Sequence, residues 1–278
     1  MEDSVLMNVA TQTGQVPISR DRHGGRFWRR FTSYGFVRPL RCIPVVLAEL
    51  EPAASAFPIV FRPGDDGAVE PVALLRLAAG EATPFVTHEG RWRGTYVPSA
   101  LRAHPFAVSP TGARTEMTLL VDEGSGLVTD NPRDEPFFDL TGAPSAALAD
   151  VIAFFRSRAQ SELDTRAACD ALRAAGLLAP LSPLPGMSGA DTDGFLAVDV
   201  TALAALGPGA LPALWSSGAL RLAHAHRVSL CHAGWMARAL RAGAGPVPGA
   251  TPGISADPGL SGFLDALAEA QDHERNSR

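Results

Sequence analysis

Residues 144–176 read PSAALADVIAFFRSRAQSELDTRAACDALRAAG, and this stretch decides the class of the fold. Leu148, Ile152, Phe155, Ala159 and Leu163 recur every three to four residues, the spacing that lines one face of a helix. Pro144 precedes the pattern and Gly176 closes it, so the spacing predicts one long amphipathic helix. Upstream the period is different. From residue 43 to about 139, short apolar runs at 43–47, 58–61, 71–77, 84–87 and 117–121 are cut by Pro, Gly and Asp, and such runs read as strands. Pro63-Gly64-Asp65-Asp66-Gly67 marks a turn, because proline presets one dihedral and glycine takes the positive one. Downstream, residues 194–200 read as one more strand and 219–242 as a second helix. That helix is apolar nearly all round, through Leu222, Val228, Leu230, Trp235 and Met236, and should be central. The expectation is an α+β fold, with a short-strand, β-rich N-terminal half and a helical C-terminal half packed into one body.

The 278 residues are 46% apolar, enough for a sizeable core. Residues 1–19 read as a loose polar segment, 20–242 as the folded domain and 243–278 as a flexible Gly/Ala/Pro-rich tail. In that tail Phe263, Leu264 and Leu267 form a stripe fit for a short helix. The first ten residues carry Glu2 and Asp3 without a basic start or an apolar stretch, so no secretory signal is read. No segment is long and apolar enough to span a bilayer. The expected location is the cytoplasm, with signal-independent export to the cell surface as the alternative. Cys42, Cys169 and Cys231 are odd in number and far apart, which suggests buried free thiols and no disulfide framework.

The chain contains no lysine. A Walker A phosphate loop and a pyridoxal Schiff base both need one, so neither chemistry can be built here. No HExxH is present. His224 and His226 on a helix turn to well separated sides at about 100° per residue and cannot grip one metal together; no metal and no cofactor are expected. Asp191-Thr192-Asp193-Gly194 is a fragment of a calcium loop, but Ala202 stands where the distal glutamate belongs. Gly186-Met187-Ser188-Gly189 lacks the spacing and the preceding strand of a nucleophile elbow. The glycine-rich residues 243–249 follow a helix, the wrong context for a dinucleotide site.

The strongest charge asymmetry lies in residues 20–41, where seven arginines, Arg26 among them, alternate with Phe27, Trp28, Phe31, Tyr34 and Phe36. Arginine among aromatics can hold phosphates and stack on bases. The competing reading is that these arginines pair with the acidic stretch at 122–139. With a net charge of −5, a nucleic-acid partner is disfavoured, since phosphate neutralisation dominates such affinity.

A set of segments carries more information than any of these motifs. It begins with Ile43-Pro44-Val45-Val46-Leu47-Ala48-Glu49-Leu50, Ala53-Ala54 and Phe57-Pro58-Ile59-Val60-Phe61. Gly90-Arg91-Trp92, Tyr96-Val97-Pro98, Arg102 and Pro105-Phe106 follow, then Pro136-Phe137-Phe138-Asp139, Gly194-Phe195 and Gly218-Ala219-Leu220 leading to His226. In order and spacing this resembles the SapC family over roughly residues 15–240. The resemblance implies a bacterial accessory protein tied to a surface layer, or to nutrient uptake or peptide modification beside TonB-dependent receptors and flavin-dependent halogenase-like proteins. It brings no catalytic residues with it. His23 resembles a histidine near the family's amino-terminal block, although Gly24-Gly25 follows it where bulkier residues are expected.

Two main readings stand. In the first, the protein is a non-catalytic binder that presents Trp92, Tyr96, Arg102 and Phe106, with His23 and Arg26, to a peptide or protein partner. The block from Trp92 to Phe106 then reads as exposed, with Tyr96 and Arg102 serving recognition more than folding. In the second, it is an enzyme whose site gathers the dispersed His23, Tyr96, Arg102 and His226. A surface-layer structural role is a third reading, and the sequence leaves the oligomeric state open.

Overall fold

The apolar runs of the N-terminal half pair into antiparallel sheets in a computed structural model, which describes residues 14–64, 67–78, 80–110 and 117–241. The strands are β1 Gln15–Pro17, β2 Phe27–Trp28, β3 Cys42–Pro44, β4 Ile59–Pro63, β5 Val69–Leu74, β6 Phe106–Pro110, β7 Met117–Asp122, β8 Val128–Thr129, β9 Glu135–Pro136, β10 Leu178–Pro180 and β11 Leu196–Val198. The early helices are short: α1 Arg20–His23, α2 Leu50–Ala54 and α3 Ser99–Arg102. Then come α4 Ala146–Ala174, α5 Gly189–Thr192, α6 Val200–Ala204, α7 Leu211–Ser216, α8 Ala219–Ser229 and α9 Cys231–Arg241. This is the mixed α+β architecture that the periodicities predict.

Two cores result. The larger lies on the five-stranded sheet β10-β11-β4-β5-β3, where Ile59, Val60, Phe61, Val72, Ala73 and Leu74 of the central strands are all buried. The smaller gathers Trp28, Phe106, Val121, Phe137, Leu148 and Phe155 between the sheets β1-β7-β6 and β8-β2-β9 and the start of α4. α4 spans both: Leu148 and Phe155 enter the smaller core, and Ala168, Cys169 and Leu172 the larger. Between those two apolar ends its buried positions are polar, Ser161 and Thr165. Leu163, placed on the buried stripe by its spacing, is instead exposed. The buried stripe keeps its register through 155, 161/165 and 168, and hydrophobicity alone does not reveal a polar stretch of it.

Other expectations are corrected by the same packing. The run at 43–47 leaves its sheet after Pro44 and forms a 3-10 turn, Leu47–Glu49, where side-chain hydroxyls of α4 accept from the turn's backbone N–H groups. Leu47 N–H donates to Thr165 Oγ1 (2.8 Å) and Ala48 N–H to Ser161 Oγ (3.0 Å). The run at 84–87 forms only an isolated bridge, Val86 to Trp92. The described part of the segment expected to be loose contains β1, held on β7 with Val16 opposite Val121. The helix expected over 219–242 is broken at Leu230. Ser229 Oγ donates back to His226 O (2.7 Å), a competition with the helical ladder that bends helices. The break leaves Cys231 exposed, while Cys42 and Cys169 are buried thiols. No helix is long and apolar enough to cross a membrane among the described residues. The tail at 243–278, with Phe263, Leu264 and Leu267, lies outside the described residues.

α8 is central, touching α2, α4, α7, α9, β4 and β11. It meets the sheet through polar groups. Ile59 N–H donates to Ser229 Oγ (2.9 Å), and His226 Nδ1 lies 2.8 Å from Ile59 O. Val198 N–H donates to His226 Nε2 (3.2 Å), which fixes the neutral tautomer with its proton on Nδ1. Burial holds this imidazole well below its ordinary value, at about 4.

Candidate functional site

The polar stretch of α4 faces the turn at Glu49, and the two elements close around a buried carboxylate. Glu49 is 4% exposed. Its Oε2 accepts from Ser99 N–H (2.6 Å) and Tyr96 O–H (2.9 Å), and its Oε1 from Ser99 O–H (2.7 Å) and Val46 N–H (3.3 Å). Arg158 donates to Ser99 Oγ, stands 3.8 Å from Glu49 and pairs with Glu162 at 3.0 Å. A carboxylate with this many donors beside a guanidinium satisfies the condition under which a buried charge is tolerated. Burial and the neighbouring Glu49 charge push the Tyr96 phenol up to about 12. It therefore stays protonated and donates inward, leaving its oxygen to accept from Arg102 Nη2 (3.2 Å).

Tyr96 also joins this network to a continuous set of rings. Trp92 donates its indole N–H to Tyr96 O (3.0 Å) and packs against Tyr34 at 5.2 Å between centroids. Tyr34 in turn meets Phe31 (5.0 Å) edge-on, and Phe31 meets Phe36 (5.3 Å). His104 stacks on Phe36 at 4.1 Å. Phe31, Tyr34, Phe36, Trp92 and His104 are all half-buried, and Arg102 at the edge is exposed. Two distant segments make this face, and Gly90 permits their junction. Its carbonyl accepts from Tyr34 N–H (2.8 Å), its φ is +84°, and a Cβ there would fall 2.0 Å from Ser33 Oγ. Burial lowers the proton affinity of His104, and the Asp122 carboxylate acts against that shift.

The six binding residues expected from sequence divide into three places. Trp92, Tyr96 and Arg102 meet on the aromatic face. Phe106 is buried in the smaller core, edge-on to Trp28 at 4.8 Å, so the block from Trp92 to Phe106 is not exposed as a whole; Ser99, Ala100 and Leu101 are buried too. His23 is fully buried against Phe137 (4.9 Å). Its Nε2 lies 3.3 Å from Glu123 without hydrogen-bond alignment, and burial lowers its proton affinity. Arg26 Nε lies 3.1 Å from Asp130, also off the hydrogen-bond axis. Arg22 makes a two-pronged pair with Glu123 (2.9 and 2.6 Å), so arginines of the basic segment do meet the acidic stretch at 122–139. The enzyme reading needs His23, Tyr96, Arg102 and His226 together. Tyr96 and Arg102 share a hydrogen bond, whereas each histidine has partners of its own in a different core.

Sequence reasoning missed Glu49, Ser99 and Arg158. The available signal was Glu49 itself, one carboxylate inside the apolar run 43–50. Phe31, Tyr34 and Phe36 were visible only as part of a basic segment, and His104 carried no signal.

With this geometry in view, residues 18–234 match the family model described as SapC, and the chain belongs to the SapC family. No curated protein and no solved structure matches it.

Proposed function

We propose that this SapC-family chain is an accessory protein that holds a peptide or protein partner on the aromatic face, in the cytoplasm, in support of a cell-envelope, nutrient-uptake or peptide-modification system. The observation that carries the reading is the contiguous, half-buried set Phe31, Tyr34, Phe36, His104 and Trp92, seated on the larger core through Tyr34, Phe36 and Trp92 and joined to Tyr96 by the Trp92 indole N–H. Rigid aromatic groups give large contact area at low entropic cost, and arginine beside them is typical of residues that dominate binding energy. The test is parallel capture from a lysate of the producing organism on immobilised full chain and on the double variant Phe31→Ala, Phe36→Ala. The reading expects a set of peptides or proteins retained by the parent and lost from the variant, with melting temperatures within a few degrees. Identical retained sets would show that the face is not the binding site.

A further inference from the structure

The aromatic face carries a charged group, Arg102, that is exposed and held in place by neighbouring rings. Arg102 lies over the Tyr96 ring at 5.8 Å and the Phe154 ring at 5.9 Å. One of its nitrogens is tied to Tyr96 Oη, which is itself fixed by Glu49. Its other N–H groups make no hydrogen bond among the described residues. The negative charge behind it is already engaged, Glu49 by Arg158 and four further donors. Residues 29–41 and 90–110, which build the face, contain arginines but no Asp or Glu.

Resting on the binding reading above, we propose that Arg102 is the anion-recognition residue of this face, and that the occupant is an acidic peptide segment with an aromatic or apolar residue beside its carboxylate. An arginine fork gives two parallel donors to a carboxylate, and its affinity rises when the fork is already oriented. Charge complementarity thus fixes the sign of the partner, and the rings beside Arg102 fix its apolar neighbour. A nucleic acid fits less well. Phosphate neutralisation dominates such affinity, the net charge of the chain is −5, and two of the seven arginines of the basic segment, Arg22 and Arg26, are already paired with Glu123 and Asp130.

The test pans a phage library of random dodecapeptides on the immobilised full chain. The strongest clone is then measured as a fluorescent peptide against the parent, Arg102→Gln and Phe31→Ala, with a dT12 oligonucleotide as competitor. The proposal expects Asp or Glu next to aromatic residues to be enriched over the unselected library. Arg102→Gln should weaken that peptide at least tenfold without moving the melting temperature by more than a few degrees. The amide version of the peptide, with Asn and Gln for Asp and Glu, should bind parent and Arg102→Gln alike. Aromatic clones without acidic enrichment, lost in Phe31→Ala, would overturn this proposal and leave the binding reading standing. No clone above background would overturn both, and tighter binding of dT12 than of any peptide would replace the peptide with a nucleic acid.

Discussion

Single residues set the strength of the interior. Glu49 is buried with a full set of donors and with Arg158 beside it, so Glu49→Ala leaves those donors and that cation without their acceptor. Its cost in urea unfolding should be about 3 to 5 kcal/mol. Tyr96→Phe removes one hydrogen bond to the carboxylate and should cost about 1 to 2 kcal/mol. Arg102→Ala, at an exposed position, should stay within about 0.5 kcal/mol. This order separates Tyr96, which supports the fold, from Arg102, which faces outward; equal losses from Tyr96→Phe and Arg102→Ala would contradict it. His226 gives the fold a pH dependence. The unfolded chain takes up a proton on it below about 6.5, whereas the folded chain resists until about 4. The unfolded state therefore binds more protons across this window, and stability falls as pH drops from 6.5 to 4 and then levels off. At about 1.4 kcal/mol per pH unit the loss is about 3 kcal/mol. In His226→Gln that part of the pH dependence should vanish, and an unchanged slope between pH 7 and pH 4 would show that the imidazole is not held neutral.

At the scale of elements, α4 shows what the sequence discloses and what it conceals. Its existence and limits were legible, because residues 144–176 carry the period and both end signals; the helix runs Ala146–Ala174. Its buried face was not legible, because Ser161 and Thr165 occupy the middle of that face in order to accept from the backbone of Leu47 and Ala48. Apolar spacing points to Leu163 and passes over Thr165. The consequence is measurable. Thr165→Val is nearly isosteric yet leaves the buried Leu47 N–H without an acceptor, and should cost about 1 to 3 kcal/mol. Leu163→Gln replaces a large apolar residue on an exposed helical face and should change stability by no more than about 0.5 kcal/mol. Chemical denaturation of the two variants checks this, and the reverse order would restore the hydrophobic stripe. The second predicted helix failed for a related reason: a hydroxyl, Ser229, turns back onto the ladder and divides α8 from α9.

Across the described residues, two cores are joined by one long helix with a polar seam between them, and the aromatic face packs against the larger core through Tyr34, Phe36 and Trp92. The α+β class followed from local patterns. The face did not, because its rings come from residues 31–36 and 92–104, which only tertiary packing brings together through Gly90. Of the residues expected to bind, those near the seam are placed together and those in the smaller core are buried, a distinction set by packing between segments. The claim that most depends on this arrangement is that the half-buried face, and not an exposed apolar position such as Trp215 on α7 at 77% exposure, receives the partner. The direct measurement is photo-crosslinking in the producing organism, with benzoylphenylalanine placed at position 31 in one strain and at position 215 in another. The account predicts discrete peptide or protein adducts at 31 and only background at 215; equal yields at the two positions, or adducts confined to 215, would contradict it.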